Sequence, residues 1–90
     1  MNRLVFRVHA IKRMFQRHIS EIDVKDALEN GETIETYQND KPYPSKLVLG
    51  WCGKRPLHVV VAENSENQET ITVYEPDPQE WEDGLRRRRR

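Results

Sequence analysis

The most apolar stretch of the chain, residues 56–62, predicts a strand that is buried on at least one face. The run is rich in β-branched residues and has the length of a strand. His58 lies in its middle and shares one side of the strand with Val60 and Ala62, because successive side chains alternate. This strand is therefore where we expect the fold and any chemistry to meet.

A helix is predicted over residues 9–18, which contain no glycine or proline. Ile11, Met14 and Phe15 follow the spacing of an apolar stripe that faces the core. A second row recurs every four positions on an adjoining face and consists of His9, Arg13 and Arg17. This helix is therefore expected to separate apolar from cationic side chains.

A second helix is predicted over residues 21–30. Ser20 and Asp23 match the pattern in which a serine and an acid three residues later cap a helix N-terminus. Gly31 is a typical residue at which a helix ends.

The pattern then changes to alternation, which predicts antiparallel strands at 32–37, 46–51, 56–62 and 70–74. Residues 3–8 fit either a short edge strand or the lead-in to the first helix. The order predicts an α+β two-layer fold, in which two N-terminal helices pack on one face of an antiparallel sheet of about four strands. The other face is expected to be open to solvent or ligand.

The register of the last hairpin follows from a symmetric closure of the loop at 63–69. It pairs His58 with Tyr74, Val60 with Thr72, and Ala62 with Thr70. On the other side of strand 56–62, Gly50 is expected beside His58. Because glycine has no side chain, the imidazole is expected to be accessible.

Opposite charges are segregated along the chain, although fifteen bases and fifteen acids give a net charge of zero. Residues 1–19 carry five Lys and Arg residues and no acid, whereas residues 63–83 carry eight acids and no base. We expect residues 1–85 to form a single domain and residues 86–90 to form a disordered arginine tail. The tail is expected to bind polyanions or to pair with the protein's own acidic segments, unless it is a cloning remnant.

Several functional classes are excluded by simple features of the sequence. Cys52 is the only cysteine, which excludes an intramolecular disulfide and a cysteine-based zinc site. No apolar run is long enough to span a membrane, and no secretory signal pattern follows Met1. We therefore expect a cytoplasmic protein that does not bind membranes. We expect no metal and no cofactor, because no ligand spacing is present.

Metal-independent RNA cleavage is the chemistry that the polar residues of the predicted open face suggest. This reaction needs a base for the 2′-hydroxyl proton, an acid for the leaving 5′-oxygen, and cations for the phosphate charge. The candidate catalytic residues are His58, His9 and Tyr74, and the candidate phosphate-binding residues are Arg13 and Arg17. The alternative is that His58 is a structural residue of an apolar strand and that the arginines pair with acids of the second helix.

Several blocks of the sequence resemble, in order, the domain-of-unknown-function 4258 family. They are His9-Ala-x-x-Arg13-Met14-x-x-Arg17, Val24-x-x-Ala27-Leu28-x-x-Gly31, Pro42-Tyr43-Pro44, Pro56-Leu57-His58 and Thr72-Val73-Tyr74-Glu75-Pro76. The resemblance runs from His9 to Trp81. It implies a small prokaryotic protein of a kind often encoded beside zinc-finger antitoxins.

The resemblance also implies a fold similar to the RelE-like endoribonuclease toxins, in which the open face of an antiparallel sheet binds RNA. RNA and a cognate antitoxin are then the expected partners, and the same five candidates form the site. A second hypothesis from a different class is a non-catalytic module that uses the exposed sheet face to bind another protein or to form a homodimer.

Overall fold

The computed structural model describes residues 3–64 and 66–89. Arg90, the last residue of the predicted tail, lies outside the described residues, as do Met1, Asn2 and Ser65 of the predicted domain. The chain runs through the following elements in order: β1 (Arg3–Phe6), α1 (Val8–Arg17), α2 (Glu21–Asn30), β2 (Glu32–Tyr37), β3 (Ser45–Cys52), β4 (Arg55–Glu63) and β5 (Asn67–Tyr74). No helix among these residues is long and apolar enough to cross a membrane.

The sheet has five strands in the order β1-β5-β4-β3-β2 and is mixed. The predicted α+β class, both helices and the antiparallel run from β2 to β5 are confirmed. The prediction of about four strands, all antiparallel, is wrong, because residues 3–6 form a strand that runs parallel to β5. The helices follow this strand and connect it to β2 at the far edge of the sheet, as a crossover between distant strands requires.

The second helix begins and ends where the sequence predicts. The Ser20 hydroxyl accepts from the Asp23 amide at 3.1 Å, and the Asp23 carboxylate accepts from the Ser20 amide at 2.9 Å. The helix packs closely on β3, since a Cβ on Gly50 would lie 2.5 Å from the Cα of Ala27. Both helices contribute to one core on this face of the sheet, formed by Met14, Ile19, Val24, Ala27, Leu57, Val59 and Val73.

The first helix buries only Met14 of the three residues predicted to form its core stripe. Ala10 and Met14 are its buried residues. Ile11 and Phe15, predicted to be part of the core stripe, are 53% and 85% exposed. The reason is that β1 ends opposite Thr70, so α1 follows it beside the rest of β5, which is the strand that α1 contacts most.

The predicted register of β4 with β5 is confirmed for two of its three pairs. His58 pairs with Tyr74 and Val60 with Thr72, but a bulge then places Val61 opposite Thr70. On the other side, Leu49 rather than Gly50 lies opposite His58. The expected gap beside the imidazole is therefore filled by a leucine.

Residues after β5 return across the face of the sheet that the helices do not cover. The chain turns at Gly84 and Leu85, which both have positive φ (87° and 62°). The Glu82 amide then donates to the Arg87 carbonyl at 2.8 Å, and Trp81 and Arg88 form an antiparallel bridge. We call residues 80–89 the C-terminal hairpin. Residues 86–89, expected to be a disordered tail, form its second arm.

Candidate functional site

His58 is completely buried on the face of the sheet opposite the helices, with 0% of its surface exposed. The ring of Trp81 packs edge-on against it, with ring centroids 4.3 Å apart. Its Nε2 lies 2.9 Å from the Leu85 carbonyl oxygen, and its Nδ1 lies 3.2 Å from the Tyr74 hydroxyl. The expectation of an accessible imidazole is therefore wrong, because the C-terminal hairpin covers it.

The hydrogen bonds of His58 define its protonation. A carbonyl oxygen only accepts, so the ring hydrogen lies on Nε2, and the Nδ1 of the neutral ring accepts from the Tyr74 hydroxyl. Burial lowers the pKa of His58, although the bond to Leu85 acts in the opposite direction. Burial likewise raises the pKa of Tyr74. At neutral pH the pair is therefore a neutral tyrosine that donates to a neutral histidine.

Next to this pair lies a cleft of about 490 Å³. Its walls combine three arginines, three carboxylates and two aromatic residues, and the full lining is Arg13, Arg17, Thr72, Tyr74, Glu75, Asp77, Glu80, Trp81 and Arg88. We call this space the arginine cleft. It is the point at which the basic N-terminal segment, the acidic segment at 63–83 and the arginine-rich end of the chain meet.

Contacts at both ends of α1 fix the arginines in the cleft. The Arg7 amide, just before the helix, donates to the Thr70 carbonyl on β5 at 3.1 Å. At the other end, the Arg55 guanidinium donates to the carbonyl oxygens of Arg17 and His18 and pairs with Glu75, which follows β5. The helix is therefore held alongside β5, and the row of Arg13 and Arg17 faces the space in front of Tyr74.

The five predicted site residues occupy three different positions. Arg13, Arg17 and Tyr74 line the arginine cleft. His58 lies behind the cleft and is connected to it through the Tyr74 hydroxyl. His9 is exposed one helical turn from Arg13, whose Nε lies 3.5 Å from His9 Nε2. The structure thus brings four of the five residues into one connected group, with His9 at its border.

Residues that sequence reasoning missed complete the site. Arg88 lines the cleft, and its guanidinium carbon lies 4.6 Å from the centre of the Trp81 ring. The carboxylates of Glu75, Asp77 and Glu80 also line the cleft. Trp81 was not among these, because a large apolar residue within a polar segment is usually buried, and here it packs against His58.

No cluster of three or more His, Cys, Asp or Glu side chains suited to a metal ion occurs in the described part of the chain. The cationic side chains that line the arginine cleft are all arginines. These present planar arrays of donors that match phosphate oxygens.

A pH dependence of stability follows from the buried ring of His58. Since its folded-state pKa lies below the unfolded value, the unfolded chain binds the extra proton first as the pH falls. We expect the free energy of unfolding to be constant above about pH 7 and to decrease as the pH falls below about 6.5, by at most about 1.4 kcal/mol per pH unit. Urea unfolding at four pH values between 7.0 and 5.5 measures this slope.

The matched variant for this prediction is His58→Gln. The substitution is expected to change the free energy of unfolding at every pH. The two proteins are therefore compared only by the slope of this free energy against pH. We expect the slope to be smaller in the variant, and an equal slope in both proteins would contradict the assignment to His58.

The chain was compared with known families, curated proteins and solved structures. The model of a family described as "Domain of unknown function (DUF4258)" matches residues 6–75, which include α1, α2 and nearly all of the sheet. The match ends before Trp81, so the C-terminal hairpin lies outside it. No curated protein and no solved structure matches the chain significantly. The blocks of residues that suggested the resemblance lie largely within this match, and the chain belongs to the DUF4258 family.

Proposed function

We propose that this protein is a metal-independent endoribonuclease of the toxin type, which cleaves RNA in the arginine cleft. One observation carries the proposal. A tyrosine hydroxyl that is hydrogen-bonded to a buried neutral histidine faces a cleft lined by three arginines. Phosphodiester cleavage by a neighbouring hydroxyl requires a group that accepts a proton. It also requires fixed positive charges close to the phosphate.

Tyr74 is the residue that contacts the RNA in this mechanism, because His58 is buried behind it. The 2′-hydroxyl donates to the Tyr74 oxygen and loses its proton to it as the tyrosine passes its own proton to His58 Nδ1. The Leu85 carbonyl, which already accepts from Nε2, stabilises the imidazolium that forms. The 2′-oxygen attacks phosphorus, and the 5′-oxygen leaves.

Charge stabilisation and protonation of the leaving group fall to residues around Tyr74. Arg13, Arg17 and Arg88 bind the phosphate oxygens, on which negative charge accumulates during the attack. His9, at the border of the cleft, supplies the proton to the 5′-oxygen. The products are a 2′,3′-cyclic phosphate and a 5′-hydroxyl.

The three carboxylates of the cleft limit the length of RNA backbone that the cleft binds. Glu75, Asp77 and Glu80 repel neighbouring phosphates, so the cleft favours one phosphodiester rather than a long stretch of backbone. The bases flanking that phosphate then lie beside carboxylate acceptors. As a cellular partner we propose, besides RNA, a cognate antitoxin that prevents cleavage.

The alternative of a non-catalytic module depends on an exposed sheet face. The C-terminal hairpin covers this face at His58, where Trp81 is 1% exposed. The hairpin therefore covers the part of the face that such a module would use, and the nuclease proposal depends on the arginine cleft beside it.

The test is cleavage of a fluorescently labelled RNA by the purified full-length protein in the presence of EDTA. We expect a cyclic phosphate product, and we expect Arg13→Ala to lower kcat/KM by about 100-fold, the usual effect of removing one donor from a developing oxyanion. Arg3→Ala is the control, because Arg3 is an exposed arginine of β1 that does not line the cleft. Intact RNA after incubation with the wild-type protein would make the proposal wrong.

A further inference from the structure

The arginine cleft holds opposite charges that do not pair with each other. Among the described residues, no carboxylate lies within 4.0 Å of the guanidinium groups of Arg13, Arg17 or Arg88. Glu80 lines the same cleft, and a phosphate that satisfies the arginines is repelled by its carboxylate. The cleft is therefore complementary to a ligand that carries hydrogen-bond donors as well as a phosphate.

Glu80 is the carboxylate of the cleft that offers both oxygens to such a ligand. Glu75 is paired with Arg55, and one oxygen of Asp77 accepts from a backbone amide at 2.8 Å. Within the described part of the chain, the Glu80 carboxylate makes neither an ion pair nor a hydrogen bond. Its backbone is nevertheless fixed, because its amide donates to the Asp77 carbonyl at 2.9 Å and its carbonyl accepts from the Arg89 amide at 2.7 Å.

A flat cationic group lies beside this carboxylate. Trp81, the next residue, forms the bridge with Arg88 across the C-terminal hairpin. The Arg88 guanidinium lies over the buried Trp81 ring, with 4.6 Å between its carbon and the ring centre, while Arg88 itself is exposed and lines the cleft. Nucleobases stack on guanidinium planes, whose N–H donors remain directed outward in the plane. The hairpin thus places a stacking surface next to a pair of acceptors.

The size of the cleft fits one nucleotide. Its volume of about 490 Å³ lies within the range of about 300–1,000 Å³ that is usual for sites of small ligands. A phosphate on the arginines and a base on Arg88 are therefore accommodated together.

Guanine is the base whose hydrogen-bonding edge matches a carboxylate. Its N1–H and its N2 amino group are adjacent donors that point the same way, so they reach both carboxylate oxygens at once. Adenine and cytosine each carry a ring-nitrogen acceptor beside their amino group, and the N3–H of uracil lies between two carbonyl oxygens. A carboxylate gains one hydrogen bond from these three bases and faces an acceptor as well.

We propose that the arginine cleft binds a guanine nucleotide, with its phosphate on the arginines, its base on Arg88 and its Watson–Crick edge on Glu80. The inference rests on the proposed function in that the ligand is RNA. It adds that the cleaved phosphodiester lies next to a guanine.

Isothermal titration calorimetry of the full-length protein with nucleoside 3′-monophosphates tests the proposal. We expect guanosine 3′-monophosphate to bind at least about tenfold more tightly than the adenosine, cytidine and uridine compounds, the usual effect of one bidentate contact to a base. Inosine 3′-monophosphate lacks only the N2 amino group and should lose most of this advantage. Equal or tighter binding of another of the four bases would overturn the proposal, as would no saturable binding of the guanosine compound up to about 5 mM.

Glu80→Gln locates the recognition of the base. The amide replaces one acceptor oxygen with a donor, so the variant is expected to bind the guanosine and adenosine compounds with similar affinity. Glu82→Gln is the control, because Glu82 is an exposed glutamate of the same hairpin that does not line the cleft. A preference for guanosine that survives in Glu80→Gln would overturn the assignment, and so would an equal loss in both variants.

Binding of mononucleotides separates this inference from RNA cleavage. These compounds contain no phosphodiester, so their affinities are measured whether or not the protein cleaves RNA. Guanosine-selective binding by a protein that leaves RNA intact would contradict the proposed cleavage alone. Cleavage of RNA with no preference for guanine, together with equal binding of all four mononucleotides, would contradict the guanine site alone.

Discussion

Replacing Trp81 with alanine is expected to lower the free energy of unfolding by about 3–5 kcal/mol, the usual range for a buried tryptophan. Trp81 is 1% exposed although it lies beyond the last strand. Its ring contacts the His58 ring, and the Arg88 guanidinium lies over it. The alanine variant loses these contacts and admits water to the buried imidazole.

Urea unfolding followed by circular dichroism measures this effect, and the second tryptophan provides the control. Trp51 at the end of β3 is 50% exposed, so Trp51→Ala is expected to change the free energy of unfolding by less than about 1 kcal/mol. Equal urea midpoints for the two variants would mean that the C-terminal hairpin does not contribute to the folded domain. A lower m-value for Trp81→Ala alone would mean that the hairpin detaches before the sheet unfolds.

Local sequence signals predicted the elements of the fold well. The Ser20–Asp23 capping box marks the start of α2, and alternation marks the strands, because both depend on residues close together in the chain. The pairing of His58 with Tyr74 was predicted for the same reason, since the hairpin between them is short. The bulge beyond Val60 was not predicted, because the sequence of 70–74 alternates without interruption.

The side of α1 that faces the core could not be predicted from its sequence. The helix has apolar residues on two sides, with Ala10 and Met14 on one and Ile11 and Phe15 on another. The predicted stripe of Ile11, Met14 and Phe15 combined residues from both sides. Which side is buried depends on β1 taking the edge position beside β5, and this parallel pairing over a long separation leaves no local trace in the sequence.

The burial of His58 depends on a contact with Leu85, a residue far from it in the sequence. The arginine residues at 86–90 fit a disordered tail by composition, but opposite charges elsewhere in the chain favour a folded arrangement. Arg86 pairs with Glu32 and Arg89 lies 3.5 Å from Asp83. The turn at Gly84 then brings the Leu85 carbonyl to His58. The five candidate residues could thus be chosen from the sequence, whereas the burial of one of them could not.

The largest expected effect on activity is that of Tyr74→Phe, which should lower the rate of RNA cleavage by about 100-fold to 10,000-fold. The substitution keeps the ring and removes the hydroxyl that donates to His58 Nδ1. If proton transfer runs through Tyr74 to His58, then His58→Gln has a similar effect, and the double variant is no slower than the slower single variant, because the two residues act as one unit. Single-turnover cleavage of the labelled RNA measures each rate.

The catalytic role of Tyr74 must be separated from its contribution to the stability of the fold. Tyr74→Phe leaves a buried nitrogen without its donor and is expected to cost about 1–3 kcal/mol of stability, so rates are compared under conditions in which circular dichroism shows both proteins folded. Tyr37→Phe is the control, since the hydroxyl of this half-buried tyrosine donates to Glu35 and Tyr37 does not line the cleft.

The pH profile supplies the decisive readout. Since His58 must be neutral to accept the proton and burial lowers its pKa, the wild-type rate should fall only below about pH 6.5, and this acidic limb should disappear in Tyr74→Phe. A Tyr74→Phe variant that keeps more than about a third of the wild-type rate would show that the proton leaves the 2′-hydroxyl by another route, and the carboxylates of Glu75, Asp77 and Glu80 would then be the acceptors to test.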